Sequence, residues 1–263
     1  MKEKILVKWT ERLLLAGLML STTSTWAVGG PPLVTDDPDT PGDGHWEINL
    51  ATITQRTSGG YTVAAPDADI NYGLGDSIQL KADLPWTFAQ PSGQQWVSGP
   101  GLANYGVKWR FIDEDDAGVS VSTYPQYAHS LSTTSIDRGI ALAGGQFFLP
   151  IEVAGRTAGF DLDGEIGRNF VQNGPNQWEV GFVAGHECAA DVECLVEIHE
   201  TYSQRVGSIS GMVGNSTQTL LNLGLNWKLT ESLTLLAAAG REFGPQTPDQ
   251  LKVLFYLGIQ ITR

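Results

Sequence analysis

The residues best suited to chemistry cluster in one short stretch: His186, Glu187, Cys188, Glu193 and Cys194. Two thiols, an imidazole and carboxylates make a zinc-ligand set. The same cysteines flank a short turn, 189–191, where facing residues of a hairpin come close enough to bond. Cys188 and Cys194 are therefore read as a hairpin disulfide, with free thiols and a metal site as the alternatives. Asp36, Asp37 and Asp39 offer carboxylates for a calcium loop, but Pro38 and Pro41 interrupt regular ligand spacing. A solvated turn, or a segment lying in a lumen, fits them better. Asp67/Asp69 and Asp161/Asp163 are two apart, so each pair shares one face of a strand. Hydrolytic carboxylates need a positioned partner across a cleft. The plainer reading is a hydrated wall whose acids pair with Lys81, Lys108 and Arg110. His199 shares a face with Glu197, and a serine on a neighbouring strand would complete a triad, yet no spacing identifies that serine. Gly73-Leu74-Gly75 is a hairpin turn with no helix after it, so it is not a phosphate loop. No residue is assigned a catalytic, cofactor or metal role, and the chain is not read as an enzyme.

The elements carrying these residues have period two. Apolar and polar residues alternate through 46–56, 63–72, 77–88, 102–112, 117–127, a sixth segment ending at 147–153, 159–170, 178–188, 192–202, 217–229, 233–241 and 251–263. In 77–88, Ile78, Leu80, Ala82, Leu84 and Trp86 take one face, and Gln79, Lys81 and Asp83 the other. Longer gaps follow odd segments, at 89–101, 128–140, 203–216 and 242–250, with modest ones at 58–60 and 172–176. Short turns follow the even segments, at 73–76, 113–116, 154–157, 189–191 and 230–232. Alternating short turns and long loops, with an even strand count, are the layout of a transmembrane up-and-down β-barrel of about twelve strands. Both termini and the Cys188–Cys194 hairpin then fall on the periplasmic side. Backbone groups in hydrocarbon need partners, so a spanning sheet must close. Its lipid face is apolar and its lumen polar. The lumen-lining candidates are Asp67, Asp69, Asn71, Lys81, Asp83, Lys108, Arg110, Asp161, Asp163, Glu165, Glu197 and His199. Trp46, Tyr72, Trp86, Trp109, Phe111, Tyr127, Trp178, Tyr202 and Trp227 lie near segment ends, where interfacial aromatic girdles sit. A soluble β-sandwich shows the same alternation, and the aromatic placement favours the barrel over it.

The chain's start reads as a secretory signal peptide, residues 1–27. Lys2, Lys4, Lys8 and Arg12 precede the apolar run 13–20, and Thr25-Trp26-Ala27 offers a small residue for cleavage. That run is too short for a spanning helix. Residues 28–44, rich in Pro, Gly and Asp, form an irregular leader or plug before a barrel over 45–263. The formal charge of −13 becomes about −15 without the four bases and two acids of 1–27. Such a chain repels polyanions, which excludes nucleic acid as a partner.

Several stretches resemble a known family: the TDDPDTPG leader, the NYGLGDSIQLK turn and the GVKWRF strand, with weaker echoes in FFLPIEV, VEIHET and LNLGLNWKLTESLTLLAAAGREF. They are similar to the bacterial outer-membrane proteins named after the meta pathway of phenol degradation, whose members are described as transporters. The resemblance implies a barrel in the outer membrane of a Gram-negative cell and uptake of small organic molecules. It brings no catalytic residue and no cofactor. The chain departs from barrels of this kind in ending on Thr262-Arg263 instead of an aromatic residue, although Phe255, Leu257, Ile259 and Ile261 keep the alternation. The expected function is passage of small aromatic or otherwise apolar solutes along a narrow path. The expected partners are outer-membrane lipid, the solute and the barrel-assembly machinery. The rivals are an outer-membrane lipid- or ester-hydrolysing enzyme, a structural barrel that conducts nothing, and a soluble periplasmic sandwich.

Overall fold

The structure, a computed structural model, describes residues 29–204, 215–247 and 249–263; the expected signal peptide and most of the expected loop 203–216 lie outside them. The strands are β1 (Trp46–Arg56), β2 (Gly60–Leu74), β3 (Ile78–Asp83), β4 (Trp86–Pro91), β5 (Val97–Pro100), β6 (Leu102–Ile112), β7 (Ser120–Thr123) and β8 (Gln126–Ser130), followed by β9 (Gln146–Thr157), β10 (Phe160–Val171), β11 (Gln177–Ala189), β12 (Val192–Ser203), β13 (Ser216–Thr230), β14 (Leu233–Phe243) and β15 (Val253–Thr262). Two short helices, α1 (Glu114–Ala117) and α2 (Thr133–Asp137), sit in connections.

The segments form a closed antiparallel barrel of twelve staves, because three staves are each made of two strands. β3 and β4 both pair with β2, β5 continues β6, and β7 and β8 both pair with β6 and β9. The breaks fall at Pro85, Gly101 and Pro125. Proline has no N–H for a ladder, so Pro85 and Pro125 fit where the ladder breaks, although β2 and β9 carry Pro66 and Pro150 without a break. Neighbouring groups bridge the gaps: Leu84 N donates to Ala68 O, Gly101 N to Pro85 O, and Val107 N to Pro125 O. β1 closes the ring on β15, from Glu47 opposite Thr262 to Arg56 opposite Val253.

Side-chain exposure is inverted relative to a water-soluble domain. Trp109 is 54% exposed while its neighbour Lys108 is 1% exposed; Leu223 is 65% exposed and Asn222 1%. Outside, Val107, Ile151, Ile166, Val180, Ile198 and Leu257 form an apolar surface. A sandwich buries its apolar faces between two sheets, so this arrangement rules that rival out. Aromatic residues mark both ends. Trp46 lies 4.7 Å from Tyr72 and Trp109 5.4 Å from Phe111, centroid to centroid, at the end with the short turns; Phe147 and Phe170 pair at the other.

The turns differ in detail from expectation. Residues 154–157 continue β9, and the reversal is Ala158-Gly159, both with positive φ, 52° and 81°. A two-residue turn of that conformation matches the twist of the strands it joins. The acidic run at 113–116 forms one helical turn, because the Asp113 side chain caps it by accepting from Asp115 N. The expected gap 89–101 is mostly strand: β4 and β5 extend the wall there, with only 92–96 between them.

Candidate functional site: the lumen and the leader inside it

Strand alternation sends Asp69, Asn71, Lys108, Asp163, Glu165, Glu197 and His199 inward, each buried, with Asp67, Lys81, Asp83, Arg110 and Asp161 half-buried beside them. Gln79, Tyr124, Glu152, Glu179, Glu193, Asn222 and Asn226 share the interior. All seven are inward positions of the same alternation, which is the signal in the sequence that marks them.

The leader, residues 29–44, runs through this interior. Its first part is held through its backbone. Glu197 accepts from Val34 N at 3.0 Å and from Thr35 N at 2.6 Å, and Asn222 Nδ2 donates to the other Glu197 oxygen at 3.1 Å. Thr35 is fully buried, and Leu33 packs with Val183, Leu195, Leu236 and Tyr256. A Cβ at Gly181 would collide with the Thr35 side chain, so glycine there leaves the room the leader occupies. The second part is held through its acids. Lys108 Nζ lies 2.9 Å from Asp36 Oδ1 and 3.9 Å from both Asp37 and Glu152, and it also donates to the Asp37 carbonyl. Arg110 bridges Asp39 at 3.2 Å and Asp113 at 3.1 Å. Lys108 Nζ also sits 4.7 Å over the Tyr124 ring, whose hydroxyl accepts from Gln79 at 3.0 Å.

The leader's two central acids respond oppositely to this setting. Burial alone would raise the Asp36 carboxyl, but Lys108 and Lys81 outweigh it and hold the group below its ordinary range. Burial drives Asp37 well above its ordinary range; Asp39, Asp36 and Asp163 add to the rise and Lys108 opposes it.

The expected charge pairing is therefore partly redirected. Lys81 pairs with a wall acid, Asp69, at 3.6 Å. Lys108 and Arg110 turn to the leader acids, not to Asp161 or Asp163; Asp161 pairs with Arg156 instead. The physical reason is that a buried cation needs its counter-charge within a few ångströms, and the leader brings one. Asp67 and Asp83 face each other, and Asp163 Oδ2 has no hydrogen-bond partner among the described residues.

The leader divides the interior. A cavity of about 500 Å³ opens toward the longer loops, lined by Gln55, Asp67, Glu165, Glu179, Thr201 and Tyr256 among others. Two of about 300 Å³ lie nearer the short turns. Pro31, Asp36, Asp69 and Lys81 border both the larger cavity and one smaller one, which places the narrowing there.

No known family model matches the sequence, and no curated protein matches it. Solved structures do. An outer-membrane channel from Pseudomonas putida F1 aligns with a TM-score of 0.70 at 10% identity, over 88% of this chain and 100% of that one. The fold is that of outer-membrane β-barrels. The NanC porin aligns at 0.55 and 9% identity, over 81% of this chain and 98% of its own, and the KdgM porin at 0.54 and 11%, over 82% and 98%. At these identities the likeness is one of fold alone.

Within that barrel the other candidate constellations come apart. Cys188 and Cys194 are joined as a disulfide at the β11–β12 turn, at the end with the short turns, so the sulfurs are not free to bind zinc. His186 faces outward, its ring 4.9 Å from Phe160, whereas Glu193 faces the lumen and accepts from Asn226. His199 Nε2 lies 3.7 Å from Glu179 and bonds to no serine among the described residues, while Glu197 is occupied by the leader.

Proposed function

We propose that the chain is an outer-membrane channel for small organic solutes, exported through a cleaved signal peptide, with its leader acting as an internal constriction. The observation that carries this reading is the inverted polarity of the closed barrel. An apolar belt outside and a wet, charged interior are what a wall between lipid and an aqueous path requires. The cavities on either side of the leader supply two ends of such a path. Likeness in fold to three channel and porin barrels supports the same reading. Membership of the phenol-degradation family, and passage of aromatic or otherwise apolar solutes, are the finer form of this proposal. The apolar cluster around Leu33, Leu195, Leu236 and Tyr256 supports an apolar component in the path. One of the similar structures is the KdgM porin with oligogalacturonate, a polyanion; the carboxylate-rich interior here would repel such a ligand.

A non-conducting barrel has one specific observation in its favour, the leader's grip on Lys108 and Glu197. Two measurements separate the readings. Cell fractionation with boiled and unboiled gel samples should place the protein in the outer membrane with a heat-dependent mobility shift. Liposome swelling with a small neutral sugar should then be faster than in protein-free liposomes. Swelling at the protein-free rate would overturn the channel reading, and a periplasmic protein without the shift would overturn the barrel's location.

A further inference from the structure

We propose that the loop-side cavity selects organic cations with an apolar body. The inference rests on the channel reading and narrows its solute class. Six wall carboxylates line this cavity, against one lysine and one histidine. Their neutralisation is uneven. Asp69 has Lys81, Glu242 accepts from Leu251 N at 2.7 Å, and Glu179 accepts from Asn169 Nδ2 at 3.2 Å beside His199. Asp67 and Asp83 lie beside each other, and the one lysine near both, Lys81, is paired with Asp69. Glu165 has nothing: it is 5% exposed, lines the cavity, and makes no hydrogen bond or ion pair among the described residues.

The Glu165 carboxylate faces the cavity with no protein partner, and a wall built this way leaves a place for a positive group beside it. The other side of the same cavity is different in kind. Leu220, Leu254 and Tyr256 are all buried and line it. An inorganic cation would use only the first side, and a neutral hydrocarbon only the second. A molecule with a quaternary or protonated amine on an aromatic or aliphatic body uses both, and convergent polar groups on an otherwise apolar wall are how small-molecule pockets set orientation. The cavity volume of about 500 Å³ admits a body of one or two rings.

The test uses three probes, each a benzyl group on a compact head: benzyltrimethylammonium, phenylmethanesulfonate and neopentylbenzene, which are close in size and differ in charge. Calorimetric titration of the detergent-solubilised full chain should show saturable binding of the cation, at least about tenfold tighter than either of the others. Glu165→Gln should weaken it about fivefold or more, and Glu179→Gln serves as the second variant; heat-modifiable mobility reports that each is folded. Equal binding of the three probes, no binding of the cation, or cation binding unchanged in both folded variants would overturn the proposal. Binding needs no conduction, so a barrel that binds the cation and passes no sugar overturns the channel reading and leaves the cation site as a binding site alone, whereas a barrel that passes sugar and does not bind the cation overturns this proposal alone.

Discussion

The two halves of the leader are fixed in the same lumen by different physics. Leu33 to Thr35 are held by an apolar cluster and by two backbone N–H groups on one carboxylate, Glu197. Asp36 to Asp39 are held by ion pairs to Lys108 and Arg110. In the first half the wall supplies the charge and the leader supplies neutral donors; in the second both sides are charged. A short segment so divided has one attachment, neutral donors on a buried carboxylate, that salt screens little, and another, between opposite charges, that depends on salt and on the state of its acids. A constriction of this kind can be loosened at either attachment without dismantling the barrel. The readout for the predictions is the reaction of a cysteine placed at Thr35, which is fully buried, with a membrane-impermeant maleimide.

The largest effect is expected from Lys108→Met. It leaves Asp36 and Glu152 buried without their cation, and breaking a buried pair from one side costs about 3–5 kcal/mol. Labelling of the Thr35→Cys protein should rise at least about a hundredfold, sugar permeation should rise with it, and the mobility shift should persist because no ladder bond is lost. Unchanged labelling would mean that the ionic half does not hold the leader. Glu197→Gln attacks the other half. The amide keeps one accepting oxygen but loses the charge assistance, about 1–2 kcal/mol, so labelling should rise about five- to thirtyfold and by the same factor at low and high salt. A strong salt dependence of that factor would erase the distinction between the halves.

The acids of the ionic half give a test of sign. Asp36 has a lowered carboxyl when the leader is seated. Its contribution is present above the ordinary carboxylate range and is lost as pH falls through the lowered value. Asp37 is raised. Its contribution is full below the ordinary range and is lost as pH rises through the raised value, so at neutral pH its charge opposes seating. Asp37→Asn should therefore reduce labelling at pH 7, while Asp36→Asn increases it. Equal and parallel changes in the two variants would show that burial, not the surrounding charges, governs both.

The barrel was far more legible in the sequence than the leader's place in it. Alternation is local, so residues 77–88 announce a stave by themselves, and even its break is written as Pro85. The inward residues follow from the same rule once any one is fixed: Glu152 between Ile151 and Val153 is as clear as Asp163. The leader's contacts have no such rule. Thr35 meets Glu197 across 162 residues and Asp36 meets Lys108 across 72. No spacing records those meetings, and Asp36, Asp37 and Asp39 look alike in a solvated turn and in a lumen. The only trace is compositional, a Pro- and Gly-rich stretch whose acids have no local bases.

The smallest predicted effect concerns Arg110. It is the outermost attachment of the ionic half, with Asp39 and Asp113 both more than a third exposed. A pair open to water gains little Coulomb energy and spends side-chain entropy to form, so it contributes at most about 1 kcal/mol. Arg110 nevertheless also donates to the Asp76 carbonyl at 2.9 Å, in the β2–β3 turn where Thr40 bonds too, at 2.8 Å. Arg110→Ala should thus raise Thr35→Cys labelling less than about fivefold at low salt, and the increment should shrink toward nothing near 1 M salt, where the screening length is about 3 Å. An increase as large as that of Lys108→Met would move the decisive contact from the buried lysine to the turn-side mouth, and the leader would then be anchored at its edge.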